Sequence, residues 1–155
     1  MPVRPALTGF TLVETMVALL VLSVGMIGVA ALYGQALSAS NNAGYRSQAI
    51  VLAAELADRI RSNRTARAAY EATPADRNCD RATGAGGVDC SPAEMAEHDM
   101  WLWQSLVAQS LPGGQGAIDV DTGVNPASYT VTVSWDEPTD EDPVSFAFEF
   151  SLPIY

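Results

Sequence analysis

An α+β fold is predicted for this 155-residue chain: one long N-terminal helix, a small antiparallel β-sheet head for it to pack on, and a short extra helix. Three observations predict it. Thr15 to Tyr45 contains no charged residue, and Val17 to Leu37 is dominated by Val, Leu, Ile, Met, Ala and Gly. Leu52, Leu56 and Ile60 then recur at a spacing of four, which sets one apolar helical face. Near the C-terminal end, Tyr129, Val131, Val133 and Trp135 alternate with Thr130, Thr132 and Ser134, and Phe146, Phe148, Phe150 and Leu152 alternate similarly, the period of half-buried strands.

The N-terminus sets a small residue, Gly9, directly before the apolar run, in Gly9-Phe10-Thr11-Leu12-Val13-Glu14. The nine residues up to this junction carry Arg4 and the initiator amine as their charges and have no apolar core of their own. An ordinary secretory signal carries its apolar region before the cleavage site. Here it follows, so a cut after Gly9 leaves the anchor with the mature chain. The run is long enough for the roughly 20 residues that span a bilayer, and Arg4 favours a cytoplasmic leader with the chain from about Tyr45 outside.

Glu14 lies at the edge of this run, where a carboxylate is costly, about 2.5 to 3.5 kcal/mol at the bilayer centre and less near an end. An amine freed on Phe10 would stand one helical turn away and could pair with Glu14 of its own chain or of a neighbouring helix. The alternative is an interfacial glutamate that reaches the headgroups with no partner.

The stretch GFTLVETMVALLVLSVGMIGVA resembles the class III signal and N-terminal helix of type IV pilins and type II secretion pseudopilins. The resemblance implies the lollipop fold of that superfamily. It also implies that a prepilin peptidase cuts after Gly9 and N-methylates Phe10, and that Glu14 pairs with the terminal amine of an adjacent subunit. GVAALYGQAL, ELADRIRSN, LPGG and YTVTVSW further resemble minor pilins of the PilV kind, the type IV pilus modification proteins. One departure is that no proline interrupts the apolar helix, where major pilins often have one, which leaves Gly25 and Gly28 as its intrinsic weak points.

The division expected is a leader over 1–9, a transmembrane and filament-core helix over 10–37, the same helix continuing into the head over 38–69, and a periplasmic head over 70–155 with room for one small domain. Charge is segregated along the mature chain. Phe10 to Arg67 has five arginines against Glu14, Glu55 and Asp58, a net of +2, whereas Ala68 to Tyr155 has two arginines against fifteen acids, a net of −13. So acidic a head argues against nucleic acid as a partner, since phosphate contact needs Lys and Arg on the facing surface. Arg59, Arg61, Arg64 and Arg67 occupy several helical faces. They read as a solvated helix end with local ion pairs or, alternatively, as a contact for a neighbour's acidic head.

Cys79 and Cys90 enclose a Gly- and Asp-rich segment and are expected to form a disulfide in an oxidising periplasm, worth about 3 kcal/mol in the loop-entropy account. Ser91-Pro92-Ala93-Glu94 is a capping box with proline at the first helical position. From it a short helix is expected with Leu102, Trp103, Leu106 and Val107 as its apolar face, stopping at Leu111-Pro112-Gly113-Gly114. Met100 and Trp103 read as core, with Trp101 on the opposite side as a candidate subunit contact. Ala117 to Val120 is a possible third strand.

No catalytic set, metal site or cofactor is expected. His98, the only histidine, reads as an exposed helix residue, and there is no Gly-x-Ser-x-Gly turn. Asp136, Glu137, Asp140, Glu141 and Asp142 read as a solvated hairpin loop, with Ca²⁺ ligation as the alternative. The expectation is therefore a non-catalytic structural subunit, a minor pilin that helps prime type IV pilus assembly. Its partners would be prepilin peptidase, other minor pilins, the major pilin, a tip adhesin and, before assembly, inner-membrane lipid. A minor pseudopilin of a type II secretion system is the nearest alternative, and an adhesin or DNA-uptake pilin a more distant one.

Overall fold

The computed structural model describes residues 9–79, 89–138 and 142–153. The chain divides into two units, Met1–Asn41 and Asn42–Tyr155. Helix α1 (Leu12–Ser62) supplies residues to both.

In the first unit every residue from Gly9 to Leu37 is exposed, and the helix is long and apolar enough to cross a membrane. Two of its hydroxyls are satisfied within the helix. Thr15 Oγ1 donates to the Leu12 carbonyl and Ser23 Oγ to the Leu20 carbonyl, each at 2.8 Å, so neither presents an unmet donor to an apolar environment.

The second unit contains the rest of α1, a 3-10 helix (Arg67–Glu71), α2 (Pro92–Ser110), β1 (Gln115–Asp121), β2 (Ala127–Trp135) and β3 (Val144–Leu152). The three strands form an antiparallel sheet in the order β1-β2-β3, an α+β arrangement as the sequence patterns predict. Val131 faces Ile118 on one side and Phe148 on the other. The odd-numbered residues of β2 are all buried and form one core with Leu52, Leu56 and Ile60 of α1, Met100, Trp103 and Val107 of α2, and Tyr70.

Two elements depart from the sequence reading. α1 ends at Ser62, short of the expected Ala69, and the chain folds back so that Tyr70 is fully buried. The reversal places Arg67 at φ 46°, which costs about 1–2 kcal/mol for a residue with a Cβ. Burying a large apolar side chain returns about 1.5–3 kcal/mol, enough to carry the reversal. In α2 the buried stripe is Ala96, Met100, Trp103 and Val107, while Leu106 is 39% exposed. The indole decides this rotation: Trp103 is fully buried and its N–H donates to the Leu52 carbonyl at 2.8 Å, a larger gain than either leucine offers. The capping box forms as read, with Ser91 accepting from the Glu94 N–H and Glu94 accepting from the Ser91 N–H. These bonds from the Ser91 backbone and hydroxyl hold the Glu94 carboxyl below its usual range.

Three of the described glycines are required by packing, among them Gly114, whose Cβ would strike the Val107 carbonyl. Gly113 adopts φ 59° with the Asp136 carboxylate against it, and a Cβ on Gly116 would strike the Trp103 ring.

One residue of the acidic loop is tied down. Glu137 is 3% exposed, contrary to the solvated loop expected. It accepts from Arg46 Nε at 3.1 Å and Nη2 at 3.3 Å, and from the Trp135 indole at 3.2 Å. A buried indole needs an acceptor, and the arginine makes a charged one tolerable. Asp140 and Glu141 lie outside the described residues.

Gly116→Ala should lower stability by about 1–3 kcal/mol, read as the urea midpoint of the full chain in detergent; a midpoint equal to wild type would show that the Trp103 ring yields freely. The Arg46 hydrogen bond holds the Glu137 carboxyl below its usual range, against the upward push of burial. A depressed carboxyl contributes stability that is present above the unfolded value near 4.3 and lost as pH falls through the folded value. Arg46→Ala should therefore lower the urea midpoint at pH 7 and narrow the difference between the variants towards pH 3. A constant difference across that range would contradict the assignment.

Candidate functional site

Gly9 and Phe10 precede the helix, and Phe10 is 82% exposed. The bond between them lies outside regular structure in an accessible segment, where proteolysis concentrates. A Cβ on Gly9 would meet nothing within 4 Å. The fold makes no demand for glycine there, so any demand comes from what reads the junction.

Thr11 is the cap that starts α1. Its hydroxyl accepts from the Glu14 N–H at 3.3 Å, which satisfies one of the donors a helix start leaves open. This role was missed in the sequence, although Thr-x-x-Glu before an apolar run is a capping pattern. Glu14 thereby sits in the first turn, where the helix dipole favours a negative charge. Phe10 lies before the first helical residue, Leu12, so in the uncut chain its nitrogen is a peptide nitrogen outside the helix. Among the described residues no cation pairs with Glu14.

The head brings other charged residues together. Arg59 Nη1 bonds Asp99 at 3.0 Å and Nη2 bonds Glu55 at 2.8 Å. Burial alone would lower the guanidinium's pKa, and these two carboxylates outweigh it and raise it. The Tyr70 hydroxyl is directed at the same cluster, 3.2 Å from Asp99 Oδ2, and burial together with the Asp99 charge pushes its pKa well up. Arg61 pairs with Asp58 at 2.7 Å and lies 4.8 Å from the centre of the Phe150 ring. Arg64 donates to the Arg61 carbonyl. For Arg59 and Arg61, local ion pairing is what the structure shows.

His98 is a correction. It is 2% exposed, accepts from the Arg77 N–H at 3.2 Å on Nδ1, lies 3.4 Å from Asp76 and stacks on Trp101. The segment before Cys79 folds over α2, with the Ala75 N–H on the Glu97 carbonyl and Arg77 paired with Glu97. It covers a helix face that the periodicity of α2 alone reads as solvent. Cys79 and Cys90 are joined by a disulfide with Cα atoms 5.8 Å apart. Trp101 stays 38% exposed.

An open groove of about 380 Å³ is lined by Arg59, Asn63, Cys90, Met95 and Asp99 among others. Its Arg59 and Asp99 are paired with each other, and Cys90 is held in the disulfide. Among the described residues no cluster of His, Cys, Asp and Glu could hold a metal ion.

Residues 31–101 match the family model described as Type IV pilin Tt1218, and residues 8–30 match the one described as the prokaryotic N-terminal methylation motif. No curated protein and no solved structure matches the chain. The methylation-motif match contains Gly9, Phe10, the Thr11 cap and Glu14, and the pilin match takes up the chain at the next residue, within α1, and continues into α2. Together with the exposed Gly9–Phe10 junction and the apolar first half of α1, the two adjoining matches support the type IV pilin superfamily, with a class III leader, as the family of this chain.

Proposed function

We propose that the chain is a minor pilin, of the PilV kind, a non-catalytic subunit that helps prime type IV pilus assembly. The observation that carries this reading is the accessible Gly9–Phe10 junction directly before a capped, lipid-compatible helix, inside the match to the methylation motif. Prepilin peptidase would remove residues 1–9 and methylate Phe10. Residues 10–37 would hold the subunit in the inner membrane as a single span and then pack among other pilin helices, with the head on the periplasmic side and later at the filament surface.

Cleavage creates the charge problem that assembly solves. The new Phe10 amine is a cation at a helix N-terminus, where the dipole disfavours it, and Glu14 is an anion in an apolar layer. Pairing the amine of one subunit with Glu14 of another neutralises both and sets the axial register between helices. The head would then meet other minor pilins, the major pilin or a tip adhesin.

Intact mass and N-terminal sequencing of protein from its native host should give a chain that starts at N-methyl-Phe10 only when the peptidase is present; a chain that keeps Met1 in both backgrounds would sink the reading. Glu14→Ala should leave this cleavage intact and lower incorporation into sheared filaments by about tenfold or more, the scale of one lost charge pair in an apolar layer. Wild-type incorporation of that variant would remove Glu14 from the mechanism.

A further inference from the structure

The two edges of the sheet are finished differently. On β1, the Gly116 carbonyl accepts from Gln104 Nε2 of α2 and the Val120 N–H donates to Glu71 of the 3-10 helix, both at 3.0 Å. Side chains from two neighbouring elements therefore occupy outward groups of that edge. These bonds also fix the phase of the sheet. Even-numbered β1 residues face outward, so in the antiparallel register Ser145, Ala147, Glu149 and Ser151 direct their N–H and C=O away from β2. Among the described residues no hydrogen bond from another element reaches these groups.

Edge strands are commonly protected by lysine, proline, a bulge or short length. β3 has none of these. It pairs over nine consecutive residues without interruption, and its one charge is Glu149. On its helix-facing side Phe146, Phe148 and Phe150 are only half-buried, with Arg61 over the Phe150 ring, so the apolar layer reaches the edge.

We propose that the outer edge of β3 is a docking edge, to which an extended segment of another polypeptide adds as a fourth strand. Main-chain bonds to residues 145, 147, 149 and 151 would hold it, and its alternate apolar side chains would continue the phenylalanine row. The charge of the head selects the partner. A second copy would bring together two heads, each with seven arginines against seventeen acids over Asn42–Tyr155, a net of −10, and exposed Asp142 and Glu149 lie beside and within the edge. The fitting segment is therefore basic, with Lys or Arg on its solvent-facing side next to Glu149. This edge belongs to the head alone and does not depend on which filament or complex the chain serves.

The test is site-specific photo-cross-linking in the native host, with benzoylphenylalanine placed at Ala147 of the full chain and the adduct mapped by mass spectrometry. Thr132, the partner of Ala147 across β2, serves as the comparison site on the face of the sheet. The expected result is an adduct from position 147, stronger than from 132, with a Lys- or Arg-containing extended segment of a different polypeptide. Ser145→Pro, which removes an outward N–H without touching the β2 ladder, should lower the yield about five-fold, as for one lost interface hydrogen bond. Glu149→Lys should lower it as well, and keeps the test open if the proline variant unfolds. An adduct with β3 of a second copy, an adduct with an acidic segment, equal yields at the two positions, or no adduct would each overturn the proposal.

Discussion

The fold of the head depends on the one buried face that α1 brings to its core. Ala49, Ala53 and Ala57 alternate with Leu52, Leu56 and Ile60 along the buried face of the helix, each at most 2% exposed. Leu52, Leu56 and Ile60 share one core with Tyr129, Val131, Val133 and Trp135. The Trp103 indole bonds the Leu52 carbonyl within that core, and with the ring there Gly116 has no room for a Cβ. The rotation of α2 and the course of β1 both follow from that one contact.

The same helix is used in two incompatible ways. From Gly9 to Leu37 nothing is buried, whereas six residues between Ala49 and Ile60 are. The head is therefore supplied with a core by its own sequence, and the first half of α1 must find cover outside the chain, in lipid or in other helices. Thr11, Thr15 and Ser23 are bonded within the helix, and Glu14 is the one charged side chain of that half. On the proposed reading, this is the physical sense in which the N-terminal half is an assembly element.

Elements with a strong local signal were legible in the sequence. The apolar run, the Ser91 capping box and the alternation of β2 and β3 each follow from residues close in the chain. The motif matched over residues 8–30 was legible for the same reason, since Gly9, Phe10 and Glu14 lie within one short segment. What escaped was set by contacts distant in sequence. His98 is covered by residues 75–77, Glu137 is drawn inward by Arg46, and Tyr70 turns the chain back toward Asp99. None of these leaves a periodic trace, because the partner that decides burial belongs to another element. The Thr11 cap is as local as the Ser91 box, since Thr-x-x-Glu spans one turn.

The arginines of α1 give the acidity of the head its meaning. Arg46, Arg59 and Arg61 meet Glu137, Asp99 with Glu55, and Asp58, so the spine neutralises the acids that lie against it. Among the described residues, Asp142 and Glu149 at the β3 edge are exposed and form no ion pair with these arginines. Heads of like sign repel when stacked in large numbers, at least within a Debye length of about 8 Å. A fibre made mainly of this subunit would have to overcome that repulsion at every contact, whereas a subunit present in few copies meets unlike neighbours. On the proposed reading, the charge that counts against self-packing favours a minor position, next to partners that carry the opposite sign.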